Sequence, residues 1–257
     1  MNILDHPTLT LLVAAVLVAS TGLLAWLIAR RRILLGAKWA DRVPSIHLNR
    51  LAIGVGLIAF SMIAVVSYGT MMALGMIASA LLACRAAELS PWHALGLSRA
   101  NDGTSLLLPP VVYLGILMPL YLSAVISYVI CTTFHIPFEP QQLIQLFRRL
   151  ETPWQLAGFA TLAIVIAPVS EEVFFRGLLH GWFKSFMPTS ASIAVTSVLF
   201  GAVHWHAPAF LPLTMLGLSL AVLYEATGSL WPSIALHAIF NSVTLIAMTL
   251  FPRLVGN

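Results

Sequence analysis

The sequence predicts an all-α fold, a polytopic bundle of about eight transmembrane helices. Three observations carry this prediction. Hydrophobic residues fill 60% of the 257 positions and charged residues only 9%, against roughly a quarter charged in an average soluble domain. Mean hydropathy is +0.95, and a water-soluble chain of that composition has too few polar groups to cover its surface. The apolar runs reach about 20 residues or more, too long for barrel strands, so the backbone must bond itself within helices.

Taken in order, residues 9–29 form the first span. It lacks a small-residue cleavage site and reads as a retained helix rather than a signal peptide. Arg30, Arg31 and Arg32 follow, then Lys38, Arg42 and Arg50. This excess of positive charge predicts a cytoplasmic loop and an outside N-terminus. Residues 51–84 are apolar and as one helix would reach roughly 50 Å, well past a ~30 Å hydrocarbon core. Two spans turning near Tyr68-Gly69-Thr70 are expected there. A polar loop at 85–105 precedes a span at 106–131, with Pro109, Pro110 and Pro119 as candidate bends. Residues 134–153 are polar and carry Glu139, Arg148, Arg149 and Glu151. Four more apolar runs follow, at 154–183, 190–205, 210–226 and 230–251. Trp92, Trp154, Trp182, Trp205 and Trp231 fall near span limits, as an aromatic belt does.

The expected organisation is one integrated membrane domain, with N-terminal helices at 1–153 and chemistry-bearing helices at 154–251. The net charge of +4 does not indicate nucleic acid as a partner, because the basic residues sit between apolar runs. Cys84 and Cys131 are too few for a disulfide framework. A multi-pass protein of the cell (inner) membrane is expected.

The stretch APVSEEVFFRGLLHGWF, residues 167–183, places Glu171, Glu172 and Arg176 inside a greasy run. Each lone charge near a bilayer centre costs about 2.5–3.5 kcal/mol on insertion scales. Glu172 and Arg176 are four apart and can pair, with the Glu N-terminal. Glu171 is rotated about 100° away and does not share that partner. An ion pair that only fixes packing therefore explains Glu172 and Arg176 but leaves Glu171 facing a cavity as a candidate base. Pro168 is expected to break the helix and free backbone groups there. His180 extends the Glu172–Arg176 stripe.

A second motif, FGAVHW, sets Phe200 and His204 four apart, with His204 near the outer end of its run; His206 reads as a headgroup-level residue. A third, HAIFN, sets His237 and Asn241 four apart, with His237 toward the inner end. Singly, such residues are as well explained by core packing or interhelical hydrogen bonds. Together they supply a base, two imidazoles and an amide donor, a hydrolytic set for activating water and stabilising an oxyanion. No Ser or Cys nucleophile has comparable company, and no HExxH is present. Glu225, beside Thr227-Gly228, is expected at a headgroup or helix end; His6, His47, His93 and His135 are expected in loops or near interfaces.

EExxxR at 171–176, FxxxH at 200–204 and HxxxN at 237–241, in that order, resemble the CPBP family of intramembrane proteases. That family comprises the CAAX-processing endopeptidases and bacterial relatives that include bacteriocin self-immunity proteins. The resemblance covers roughly residues 154–251. It implies a glutamate-dependent endopeptidase acting on a peptide or membrane-protein substrate in the lipid bilayer. Residue by residue, it implies Glu171 as the base assisted by His204, His237 and Asn241 as the oxyanion site, and Glu172 and Arg176 as supports. It implies no cofactor, with a zinc site on Glu171, His204 and His237 as the alternative. Two other classes compete: a noncatalytic immunity or scaffold protein of the same fold, and a transporter or proton relay. The broken, repeat-related helices of many transporters are absent from the sequence pattern.

Overall fold

In hydrocarbon a helix bonds its own backbone, so side chains decide which face meets lipid. The structure, a computed structural model, describes residues 7–35, 43, 45–47, 70–97, 107–138 and 142–250. Among the described residues the regular elements are all helical: α1 (Pro7–Leu35), α2 (Thr70–Ala86), α3 (Pro91–Ala94), α4 (Leu108–Thr133) and α5 (Gln142–Arg148). Then come α6 (Pro153–Phe183), α7 (Thr189–Ala202), α8 (Ala207–Thr227) and α9 (Leu230–Leu250). Four of them, α4, α6, α8 and α9, are long and apolar enough to cross a membrane. Leu11–Leu27, Met72–Ala86 and Thr189–Ala202 are shorter apolar helices. The fold is thus the multi-pass helical membrane bundle expected. The predicted turn near Tyr68-Gly69-Thr70 falls on residues outside those described, except that α2 starts at Thr70.

Local chemistry sets the helix ends. Thr152 and Gln155 form a reciprocal capping box at the start of α6, which satisfies two of its orphan backbone donors. The His206 ring accepts from Ala209 N at 3.2 Å and caps α8, a more specific task than the headgroup contact expected. Gly228 ends α8 at φ +70°, the left-handed conformation that glycine adopts without strain.

α8 packs between α7 and α4, and α4 also receives α1 and α9. α6 lies against α2, α7 and α9. The main core joins Met76 of α2, Phe174 and Phe175 of α6, Phe200 of α7, Leu216, Leu220 and Tyr224 of α8, and Leu236 of α9. Large apolar side chains such as Leu11, Ile126, Val129 and Ile246 point outward, as lipid-facing residues do. The polar side chains Ser170, Glu172, Arg176, His180, Ser192, Glu225 and Ser233 are fully buried.

Two interior prolines are accommodated by the same device. Pro119 lies inside α4 and has no N–H to give Gly115 O, one turn back. Ser20 of α1 donates to that oxygen at 3.1 Å instead. Pro212 lies inside α8, and Ser127 of α4 donates to Pro208 O at 2.8 Å. Hydroxyls from neighbouring helices commonly satisfy such freed carbonyls in membranes, and here they also lock α1 to α4 and α4 to α8.

One end of the bundle gathers Val43 and Ile46. Ile46 N donates to Gly181 O at 2.8 Å, and Lys184 Nζ donates to Val43 O at 2.8 Å. Leu230 N donates to Gly96 O at 3.1 Å, so α9 starts at this same end.

Candidate active site

The charged cluster stands on α6, which runs continuously from Pro153 to Phe183. Pro168 does not break it, contrary to expectation. The helix widens instead into π-turns at Leu162–Ile166 and Val173–His180, either side of the α-helical turn Ala167–Glu172. A π-turn shifts hydrogen bonding to i→i+5 and accommodates a residue that cannot donate. Ala167 N–H accordingly bonds to Leu162 O. Ser170 Oγ donates back to the carbonyl groups of Ile166 and Ala167, both at 2.9 Å.

On that turn the two carboxylates meet different environments. Glu172 is wholly buried and accepts from Arg176 Nη1 at 2.8 Å and from His237 Nδ1 at 3.0 Å, both on Oε1. The predicted Glu172–Arg176 pair is therefore present. Arg176 Nη2 donates to Gly217 O at 3.1 Å. Glu171 is 18% exposed in its side chain, and its Oε2 lies 3.9 Å from His237 Nε2. That oxygen is buried and has no hydrogen-bond partner; Glu172 Oε2 and Arg176 Nε are in the same state.

Phe200 of α7 is the wall behind this group. Arg176 Cζ sits 4.4 Å from its ring centroid, within cation–π range. The rings of His204 and His237 stand edge-on to it at 5.1 and 5.6 Å. Phe200 is thus a shared neighbour of two histidines that the sequence set at opposite ends of their spans. α7 has only 14 residues and rises about 21 Å, so its end remains within reach of the site.

Hydrogen bonding fixes the ring protons. A carboxylate oxygen can only accept, so His237 carries its proton on Nδ1 toward Glu172 and turns Nε2 to Glu171. His204 donates from Nδ1 to Phe200 O at 2.7 Å, which leaves Nε2 as the acceptor of the neutral ring. Asn241 donates from Nδ2 to Ala163 O of α6 at 2.7 Å. Its amide and the His237 ring are thus committed to different partners rather than to one shared point. Among the described residues no three His, Cys, Asp or Glu side chains are grouped as ligands for a metal ion.

A second polar cluster lies toward the basic end of α6, and the sequence reading missed it. His180 Nε2 donates to Glu225 Oε1 at 2.7 Å, and Lys184 Nζ donates to the same oxygen at 2.6 Å. Ser192 Oγ lies 2.7 Å from His180 Nδ1 and 2.9 Å from His180 O. Glu225 lies in the last turn of α8, the helix end expected, but it is fully buried, which corrects the headgroup assignment. His180 joins this cluster and not the Glu172–Arg176 stripe, because the π-turns wind past the four-residue spacing. Ser192, His180 and Glu225 have the composition of a nucleophilic triad. Yet all three are fully buried, and a triad serine bonds Nε2 with the acid on Nδ1, the reverse of this arrangement. The cluster is a structural tie that also holds Val43 through Lys184. A charge within an apolar run was the signal that could have exposed it.

Residues 153–243 match the family model described as Type II CAAX prenyl endopeptidase Rce1-like. All three motifs lie in that segment, and the resemblance to CPBP proteases drawn from them stands. A Bacillus subtilis (strain 168) protein named "Putative membrane peptidase YdiL" is 29% identical over 82 residues. That alignment spans 32% of this chain and 34% of the relative, about a third of each. No solved structure matches.

Proposed function

We propose, from the match of residues 153–243 to the Rce1-like CAAX prenyl endopeptidases, that this chain is an intramembrane endopeptidase. It hydrolyses a peptide bond near the surface of the cell (inner) membrane with a water activated by Glu171. Residues 154–251 carry the catalytic helices, and 1–153 complete the membrane domain. The observation that supports this reading best is the contrast between adjacent carboxylates. Glu172 is held by two donors, whereas Glu171 Oε2 is buried without a partner beside His237.

In this reading Glu171 takes the proton of a water molecule placed against Oε2. His204 assists through Nε2, and a proton gained at His237 Nε2 makes that nitrogen a donor toward the developing oxyanion. Asn241 lines the same site. Glu172 fixes the His237 ring, and Arg176 holds Glu172 in place. Charged groups act strongly here because the surroundings are apolar and fixed.

The test is Glu171→Gln in nanodiscs, assayed on quenched-fluorescent peptides ending in a CAAX sequence, with and without a prenylated cysteine. Loss of a general base predicts a fall of about 10²–10⁴-fold with membrane insertion and thermal unfolding unchanged. Cleavage at the wild-type rate would end the proposal. The prenylated and free probes, compared in wild type, decide whether the lipid is recognised.

A further inference from the structure

We infer that Pro168 and Asn241 are one positioning unit, in which the proline exposes the Ala163 carbonyl on α6 so that the amide of α9 is held against α6 just before the turn of Glu171. Its functional half rests on the peptidase reading above. Ala163 O has two possible helical donors. The residue 167 N–H is taken, because it bonds to Leu162 O. The next donor in the π register would come from residue 168, which is proline and has none. Asn241 Nδ2 supplies the missing bond at 2.7 Å.

This is the third instance of one rule in the chain. Ser20 answers Pro119 at Gly115 O, and Ser127 answers Pro212 at Pro208 O. Those two pins tie distant parts of the bundle. The third ties α9 to the π-turn Leu162–Ile166 of α6, which runs directly into the turn that bears Glu171 and Glu172. An asparagine suits it where a serine would not, since its amide has two N–H groups. One is spent on Ala163 O, and the other remains for the substrate. Asn241 is therefore oriented by a bare backbone oxygen four residues after His237, which Glu172 orients in turn.

A double-mutant cycle of Pro168→Ala and Asn241→Ala tests the unit. The alanine introduced by Pro168→Ala would provide the N–H that Ala163 O lacks. In the wild-type background, Asn241→Ala leaves that oxygen unsatisfied and lowers Tm by about 3–8 °C. In the Pro168→Ala background the further drop is under about 2 °C. Equal drops in both backgrounds overturn the latch. Cleavage of the CAAX probes shows the same coupling if the latch positions Asn241. Asn241→Ala costs about tenfold or more alone and under about twofold when added to Pro168→Ala. An unchanged cost in both backgrounds means that Asn241 acts without Pro168 and overturns its positioning role.

Should wild type cleave neither probe, the peptidase reading fails while the thermal cycle still decides the latch. Should Pro168→Ala not assemble, side-chain amide exchange in wild type labelled with ¹⁵N-asparagine decides it. One Asn241 amide proton is protected at least about a hundredfold over its geminal partner if the bond to Ala163 O exists. Equal exchange of the two protons overturns it.

Discussion

Arg176→Met should destabilise the protein far more than the same change combined with Glu172→Gln. Both side chains are fully buried, and their 2.8 Å contact has no exposure to water. Removing one member of such a pair strands the other charge, at about 3–5 kcal/mol. At roughly 2–4 °C per kcal/mol for a chain of this size, Arg176→Met should lower Tm by about 6–20 °C. In the double variant no charge is stranded, and the Oε1 of the introduced glutamine still accepts from His237 Nδ1. More than half of the lost Tm should return, because neutral replacement of a buried pair is often nearly neutral in stability. Methionine also preserves apolar contact with Phe200, over which the guanidinium sits at 4.4 Å. The measurement is tryptophan-fluorescence melting in nanodiscs. A double variant as unstable as Arg176→Met would refute the reasoning and assign the loss to the Gly217 O contact or to packing. A shift under about 2 °C in the single variant would show that water reaches Glu172.

Three further outcomes follow from individual contacts. His204→Ala should reduce cleavage about 10²-fold or more with Tm within about 3 °C, since its ring is half-exposed and bonds within its own helix turn; a large Tm loss would make it structural. Glu225→Gln should lower Tm by about 6 °C or more and speed amide exchange at Ile46, because Lys184 would lose the carboxylate that seats it beside Val43; unchanged exchange at Ile46 would dissociate the loop from this cluster. Gly201→Ala should push α7 from α8, because the added Cβ would meet Thr214 Oγ1 and stand 2.8 Å from Phe210 O. The hydroxyl can rotate away but the backbone oxygen cannot. A variant as stable as wild type would mean that the two helices slide freely.

Hydropathy exposed the spans because lipid imposes one solution on the backbone whatever the tertiary contacts. The Glu172–Arg176 pair was legible because four residues on a helix is a local distance. Phe200 was legible only as a spacing; its work as the wall shared by Arg176, His204 and His237 is a product of three helices meeting. The π-turn at Leu162–Ile166 was not legible, since its Ala163 carbonyl is bonded by an asparagine 78 positions away in sequence. The helix-end position of Glu225 was legible, but its burial was missed by weighing its nearness to Gly228 over its apolar neighbours. The reasoning applied to Glu172, that a charge in a greasy run needs a partner, would have sent the search to His180 and Lys184.

The two polar clusters that touch α6 serve as controls for each other. Each buries at least one carboxylate, an imidazole and a cation drawn from more than one helix, so burial alone does not separate a structural tie from a reactive site. Hydrogen-bond saturation does. In the cluster at the basic end, both His180 nitrogens, Ser192 Oγ, Lys184 Nζ and Glu225 Oε1 all have partners. In the Glu171 cluster three buried polar atoms, Glu171 Oε2, Glu172 Oε2 and Arg176 Nε, have none. An unmade hydrogen bond to a charged group in a low dielectric costs more than the bond would contribute in water. A fold that satisfies one cluster and leaves three polar atoms of the other open therefore keeps hydrogen-bonding capacity beside His237. Under the peptidase reading proposed above, that capacity would serve a substrate carbonyl and an attacking water.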